Sequence, residues 1–282
     1  MSDGVFGEID MQDRYAGDVG DFGKFGLLRH LCGVTTQDNH GRLEKPGVIW
    51  YRVADETHNG DGRHTSYLKK SAKSVKDKSV EDDNDPRFRD CDAHLYDVLK
   101  NMVFRDQDRT IEALEGAQLL PGAVYWSEKI AAPRSHWLAG ALHQTASCDL
   151  VFLDPDNGVA GLRAFAEGSP KHVFLDEIRS LIGRKPRPSL VIYHHMDKTK
   201  GTAEQKTERQ LKCLSKELGL SSAEQPFGVL FRPWVVRAFL ILPNQDHREM
   251  LMERTNALIQ KWGKDEWGKR KPKPHFTGPI PA

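Results

Sequence analysis

Cys148-Asp149-Leu150-Val151-Phe152-Leu153-Asp154-Pro155-Asp156-Asn157-Gly158 is a short run of β-forming apolar residues that stops at a carboxylate, a proline, a second carboxylate and a turn pair. A buried parallel strand delivers polar groups in this way to the carboxyl edge of an α/β sheet, where such folds bind their ligands. Apolar side chains hold the strand Leu150 to Leu153 rigidly, so the groups beyond it are well placed. An ordinary Asx turn would use the same Asp, Pro, Asn and Gly. Two carboxylates at one strand exit are more than a turn needs, and Asp154, Pro155, Asp156 and Asn157 are therefore candidate catalytic residues.

Outward from this strand, helical and strand periods alternate. Helices are predicted over Asp18 to Leu31, where Phe22, Phe25, Leu28 and Leu31 recur at three-residue steps, and around Leu95 to Met102, Ile111 to Leu120, Trp137 to His143, Val173 to Ile182, Glu204 to Leu218 and Arg248 to Trp262. Strands are predicted over Val48 to Val53, Ala123 to Trp126, Leu190 to Tyr193, Phe227 to Leu230 and Ala238 to Leu242. The alternation predicts one α/β domain over 1–282, with a Rossmann-like, mainly parallel sheet and helices on both faces. After the first strand, residues 69–122 read as an insertion: a charged, apolar-poor linker from Lys69 to Asp90, then helices. Residues 263–282 read as a basic tail.

The chain of 282 residues is 38% hydrophobic and 29% charged, a folded globular balance, and its net charge of +1 gives no global bias toward acidic or basic partners. Local clustering does. Lys261, Lys264, Lys269, Arg270, Lys271 and Lys273 stand close together with Trp262, Trp267 and Phe276 among them. Basic residues interleaved with aromatics suit a nucleic-acid backbone and its exposed bases, and equally a solvated tail. The cysteines Cys32, Cys91, Cys148 and Cys213 form no C-x-x-C pair, which argues against structural zinc and for a reducing, cytoplasmic compartment. There is no leader pattern and no apolar run near the ~20 residues of a membrane span, so no membrane partner is expected.

Three other clusters carry potential chemistry. Gly17-Asp-Val-Gly20-Asp-Phe-Gly23-Lys24 invites a phosphate-loop reading, but five residues separate Gly17 from Gly23 and Phe25 stands where a hydroxyl is required. What remains is a glycine-rich lead into a helix, either a tight turn or a set of N–H groups that attracts anions. Gly60-Asp61-Gly62 follows a strand ending toward Asp55, where glycines let a cofactor approach the backbone. His58, Asp61 and His64 could instead ligate a metal, although their spacing matches no zinc motif. Finally, Tyr193, His194 and His195 leave the strand that begins at Leu190. Tyr193 or a histidine could stack on a base, a histidine could move a proton, or the histidines are structural. No Gly-x-Ser-x-Gly nucleophile elbow is present.

Several of these segments resemble the large-subunit ribosomal RNA adenine methyltransferases of the J family, within the S-adenosylmethionine-dependent Rossmann-like enzymes. Tyr15-Ala-Gly-Asp-Val-Gly-Asp-Phe-Gly-Lys-Phe-Gly-Leu-Leu-Arg-His30 is similar to that family's amino-terminal His-Ala-Gly-Asn…Asp-Val-Leu-Lys-His segment. Asp55-Glu-Thr-His58-Asn-Gly60-Asp-Gly62-Arg is similar to its Asp-Thr-His-Ala-Gly-Ala-Gly-Arg cofactor loop. Leu153-Asp154-Pro155 stands where the family has Ile-Asp-Pro-Pro-Tyr, and Arg237-Ala-Phe-Leu-Ile-Leu-Pro243 resembles its late Met-Ile-Val-Ile-Asn-Pro strand.

The resemblance implies adenosylmethionine as cofactor, framed by Gly17, Lys24, Asp55, His58, Gly60 and Gly62, with Glu128 a loose candidate for the ribose-binding acid. It implies that Asp154 and the Pro155 carbonyl accept hydrogen bonds from a target amine on a nucleic acid or nucleobase. Asp156 and Asn157 replace the family's second proline and its tyrosine, so stacking on the base falls to Tyr193 or His194. Two rival expectations stand beside this one. Asp154 and Asp156 could hold Mg or Mn in a nuclease or hydrolase, or the chain could bind nucleic acid without catalysis.

Overall fold

A computed structural model describes residues 15–36, 38–53, 62, 64–69, 85–160, 170–263 and 275–282. In chain order these form α1 (Val19–Leu31), β1 (Pro46–Trp50), α2 (Pro86–Arg89), α3 (Ala93–Asn101), α4 (Ile111–Gly116), β2 (Val124–Trp126), α5 (Arg134–Gln144), β3 (Leu150–Asp154), β4 (Gly158–Val159), β5 (His172–Val173), α6 (Leu175–Ile182), β6 (Ser189–His195), α7 (Ala203–Leu218), β7 (Phe227–Phe231), β8 (Arg237–Leu242), α8 (Arg248–Gly263) and β9 (Phe276–Pro281). Local signals explain the better-defined helices. Thr202 and Gln205 form a capping box at the start of α7, and Gly219 ends that helix in the left-handed conformation.

The central sheet has seven strands in the order β2-β1-β3-β6-β8-β7-β9. β1, β2, β3 and β6 are parallel; β8 runs against both β6 and β7, and β9 against β7. The fold is therefore α/β with a mostly parallel central sheet. Because side chains alternate across a strand, the register sorts them into two cores. Val48, Phe152, Val191 and Ile241 are successive partners across β1, β3, β6 and β8, and all four face the core shared with α1, α3, α4 and α8. Ile49, Leu153, Ile192 and Leu240, one position along, face the core shared with α5, α6 and α7. The chain leaves β1 for β2 on one side and returns to β3 on the other. That reversal creates a crevice beyond the carboxyl ends of β1 and β3.

Several elements differ from the sequence expectation. The first strand ends at Trp50, and Tyr51 to Val53 are buried beyond the ladder. Val173, expected to open a helix, instead pairs with Val159 in a small two-stranded ladder, and the helix starts two residues later at Leu175. Residues 275–282, read as part of a basic tail, close the sheet edge as β9 with Phe276 fully buried. The helices within 69–122 are core elements: Leu95, Tyr96, Leu99, Ile111 and Leu114 pack in the same core as α1. Arg29 fastens this region to α1, donating to Asp92 Oδ2 at 2.7 Å and to the Leu119 carbonyl at 2.6 Å. The charged stretch after Lys69 lies largely outside the described residues.

α1 and α8 approach closely because Gly26 has no side chain: a methyl there would overlap the Trp262 indole, which is itself held between Phe22 and Phe276 at centroid distances of 5.0 and 5.1 Å. Gly26→Ala is expected to lower the urea midpoint, corresponding to about 1–3 kcal/mol of overpacking that outweighs the ~1 kcal/mol helix-propensity gain. Gly116→Ala is the matched control. A methyl at Gly116 in α4 meets nothing within 4 Å, so its midpoint should hold or rise.

Candidate functional site

The amino end of α1 is built by its own acids. Asp18 is the N-cap, and its Oδ1 accepts from Gly20 N at 2.7 Å and from Asp21 N at 3.1 Å. Asp21 Oδ2 accepts from Gly17 N at 3.0 Å, which ties the left-handed turn at Gly17 (φ +78°) to the first helical turn. Lys24 follows Asp21 by three residues and therefore shares its helix face. Its ammonium donates to Asp21 Oδ1 at 3.2 Å and, across the crevice, to Asp154 Oδ2 at the end of β3 at 2.8 Å. Tyr193 and Trp50 present ring faces to the same ammonium, with centroids 5.0 and 6.0 Å away.

A second chain of polar contacts adjoins the first. Arg237, at the start of β8, donates from Nε to the Tyr193 hydroxyl at 2.9 Å, and that hydroxyl lies 3.0 Å from His195 Nε2. Both chains border a cavity of about 260 Å³ that is also lined by Asp18, Asp156, Asn157, Gly62, His64 and Lys171, with Ile111 and Leu114 as an apolar wall. The cavity lies in the crevice where the strand order reverses.

Burial sets the protonation of this cluster. It works against the Lys24 ammonium, but Asp154 and Asp21 beside it outweigh that effect and raise its pKa above the ordinary lysine value. Burial raises the Asp154 carboxyl, with Lys24 opposing. Asp21 is pushed up to about 7, first by burial and then by its neighbours Asp18 and Asp154, again with Lys24 opposing. One ammonium between two buried carboxylates neutralises only one of them, and Asp21 is the group poised to hold a proton near neutrality. Burial likewise pushes the Tyr193 hydroxyl up to about 12.

The structure distributes the sequence candidates unevenly. Asp154, Asp156, Asn157, Tyr193, Lys24 and Gly62 come together around the cavity. Gly17 stands just behind it through its bond to Asp21, and Pro155 is buried between the two acids. His194 is on the opposite side of β6 from Tyr193 and His195. Its Nδ1 accepts from Val159 N at 3.1 Å, and it packs so closely on Gly158 (φ +92°) that no side chain would fit there. It therefore locks the turn after β3 rather than facing the cavity. Glu128 is exposed beyond β2, bordering a different cleft with Arg52 and Glu112. Asp55, His58, Gly60 and Asp61 lie outside the described residues. Among the described residues no group of three or more His, Cys, Asp or Glu is placed to hold a metal ion.

Sequence reading passed over Asp18, Asp21, Trp50, Lys171 and Arg237, all of which line the cavity. An N-cap acid followed three residues later by another acid, then by a lysine three further on, was the available signal for Asp18 and Asp21. Arg237 is brought in by the β6–β8 pairing, opposite His195, and no local pattern announces it.

Asp21 binds its proton more tightly folded than unfolded, so the folded state takes up protons as pH falls from about 7 toward 3.8, and its contribution to stability should grow over that window. Buried His30 and His194, both held down to about 4, act in the opposite sense because the unfolded chain protonates them first. The readout is therefore a difference. Unfolding free energies of wild type and Asp21→Asn, measured from pH 4 to 7.5, should converge at the acid end and separate toward neutrality, with the variant gaining relative to wild type. Parallel curves would show that Asp21 titrates normally.

Comparison of the chain with protein-family models, with curated proteins and with solved structures finds no match.

Proposed function

We propose that the chain is a Rossmann-like, S-adenosylmethionine-dependent methyltransferase acting on a nucleic acid or a nucleobase. The observation that carries this reading is convergence. Segments far apart in sequence, around Lys24, Gly62, Asp154 to Asn157 and Tyr193, meet at one cavity in the crevice between β1 and β3. The four parallel strands run in the order β2-β1-β3-β6, which supports a doubly wound reading, since in such sheets ligands bind in a crevice of this kind. Adenosylmethionine, when bound, supplies an electrophilic methyl group.

The cavity suits a ligand that is zwitterionic at one end and aromatic at the other. Lys24 offers an ammonium to a carboxylate, the Asp18 carboxylate offers an acceptor to an amino group, and Trp50, Ile111 and Leu114 offer apolar surface to a purine. Asp154, with the Pro155 carbonyl, would accept from the target amine at the end of β3, and Asp156 and Asn157 border the cavity beside them. Asp21, with a pKa near 7, is suited to take up a proton released at neutral pH. All four cysteines are free thiols, which supports placement in a reducing cytoplasm, and no described helix is long and apolar enough to cross a membrane.

A second reading draws on Asp154 and Asp156 bordering one cavity, as ligands of Mg or Mn in a hydrolase. The Lys24 ammonium, 2.8 Å from Asp154, already neutralises the carboxylate such an ion would use, so the methyltransferase reading is preferred.

Calorimetric titration with adenosylmethionine in the absence of metal should give micromolar binding, about −8 kcal/mol. Lys24→Met should weaken it at least about 10-fold, equivalent to ~1.4 kcal/mol, with thermal melting confirming that the variant is folded. Asp154→Asn should retain binding and lose methyl transfer to adenine-containing oligonucleotides. Absence of binding together with a heat from Mg or Mn that Asp156→Ala removes would replace this reading with the hydrolase.

A further inference from the structure

Trp234 and Val235 are the large apolar side chains that the described surface leaves most open, 48% and 47% exposed. They stand in the short connection between β7 and β8, at the carboxyl edge of β6, and Val235 borders the cavity itself. Trp234 is held in the left-handed region at φ +57°, a conformation bulky side chains rarely adopt. The turn is maintained rather than loose: Val235 N donates to the Pro233 carbonyl at 2.8 Å, and Arg237 Nη1 donates to the Val235 carbonyl at 2.9 Å. The same guanidinium holds Tyr193 through Nε. A buried arginine thus braces the cavity and the exposed indole together. On its inner side the indole adjoins His64 and Phe88, with centroids at 6.0 and 5.9 Å.

Beside this turn lies a basic one. β6 and β8 pair up to His195 opposite Arg237, so the chain leaving His195 emerges next to the chain that enters Arg237 from Trp234. That outgoing loop carries Lys198 and Lys200, both exposed. It is also braced, by Lys206 Nζ on the Asp197 carbonyl at 2.7 Å and by Arg209 Nη2 on the Lys200 carbonyl at 2.9 Å. Asp197 is the acid of this loop, and Lys206 stands 3.7 Å from its carboxylate.

We infer that this rim seats a single-stranded nucleic acid, with a base stacked on Trp234 and the adjoining phosphates taken by Lys198 and Lys200. An aromatic face beside paired cations is the combination that binds unpaired strands without reading their sequence. The position at the mouth of the cavity would hold a strand while one of its bases enters. The inference rests on the proposed function for the identity of the cavity's ligand, and it adds the substrate class and the surface that recognises it.

The test is fluorescence anisotropy with a labelled, mixed-sequence single-stranded RNA of about 12 nucleotides, within the span of one such site. Trp234→Ala should weaken binding about 10-fold or more and Trp234→Phe should restore most of it, because stacking needs only a ring. The double variant Lys198→Ala/Lys200→Ala should flatten the slope of log K against log salt by about 1.4, the value for two phosphate contacts to a single strand. Adenosylmethionine affinity should be the same in all three. Variants that bind RNA as wild type does, or a wild-type protein that binds none, overturn the inference even where adenosylmethionine binds. RNA binding lost in the variants of a protein that does not take adenosylmethionine upholds the rim and overturns the cofactor assignment alone.

Discussion

The contact between Lys24 and Asp154 is the constraint around which the site is arranged. It joins the first turns of α1 to the end of β3, residues 130 positions apart, in surroundings where an isolated charge of either sign would be strongly disfavoured. Once the ammonium is there, Asp21 on the previous turn becomes the surplus acid, and the elevated affinity of Asp21 for a proton follows. The geometry of the amino end of α1 follows as well. Asp18 and Gly17 hold the turn so that Asp21 and Lys24 face the sheet rather than solvent, and Tyr67 reinforces it from behind, its hydroxyl donating to the Gly17 carbonyl at 3.1 Å.

Strand alternation decides which groups share that site. Tyr193 and His195 fall on one side of β6 and His194 on the other, so neighbouring residues have unrelated roles: one pair belongs to the cavity and the remaining ring secures the turn that carries Asp156 and Asn157. The turn after β3 is thereby both of the things its composition suggested. Gly158 and the Asn157 N–H, which donates to the Lys171 carbonyl at 2.8 Å, make it a firm turn, and the two acids before them border the cavity.

How much of this was legible depends on range. The strand ending at Asp154 is readable because burial on both faces leaves a continuous apolar run, and α1 because its apolar stripe has a clear period. Lys24, Asp154 and Tyr193 could each be singled out locally. Their mutual contact could not, since it depends on strand order, which no short window encodes. His194 was favoured over His195 although the two-residue period pairs His195 with Tyr193. The strand Phe276–Pro281 reads as part of a basic tail because of the lysines before it; Gly278, Pro279 and Pro281 within it are residues that edge strands tolerate where central strands do not. The helices within 69–122 were legible from their apolar stripes, whereas their place in the core beside α1 was not, because it depends on tertiary packing.

That final strand bears on how the molecule behaves in company. An open sheet has two rims, each a row of backbone groups on which a neighbour could add a strand. Among the described residues one rim is β2, only three residues long, and the other is β9, whose Pro279 and Pro281 carry no N–H to offer. A sheet rich in valine, leucine and phenylalanine is thus finished at both sides by segments on which stacking cannot readily propagate. The described rims therefore offer a neighbouring chain little free backbone on which to add a strand and begin fibrous self-association.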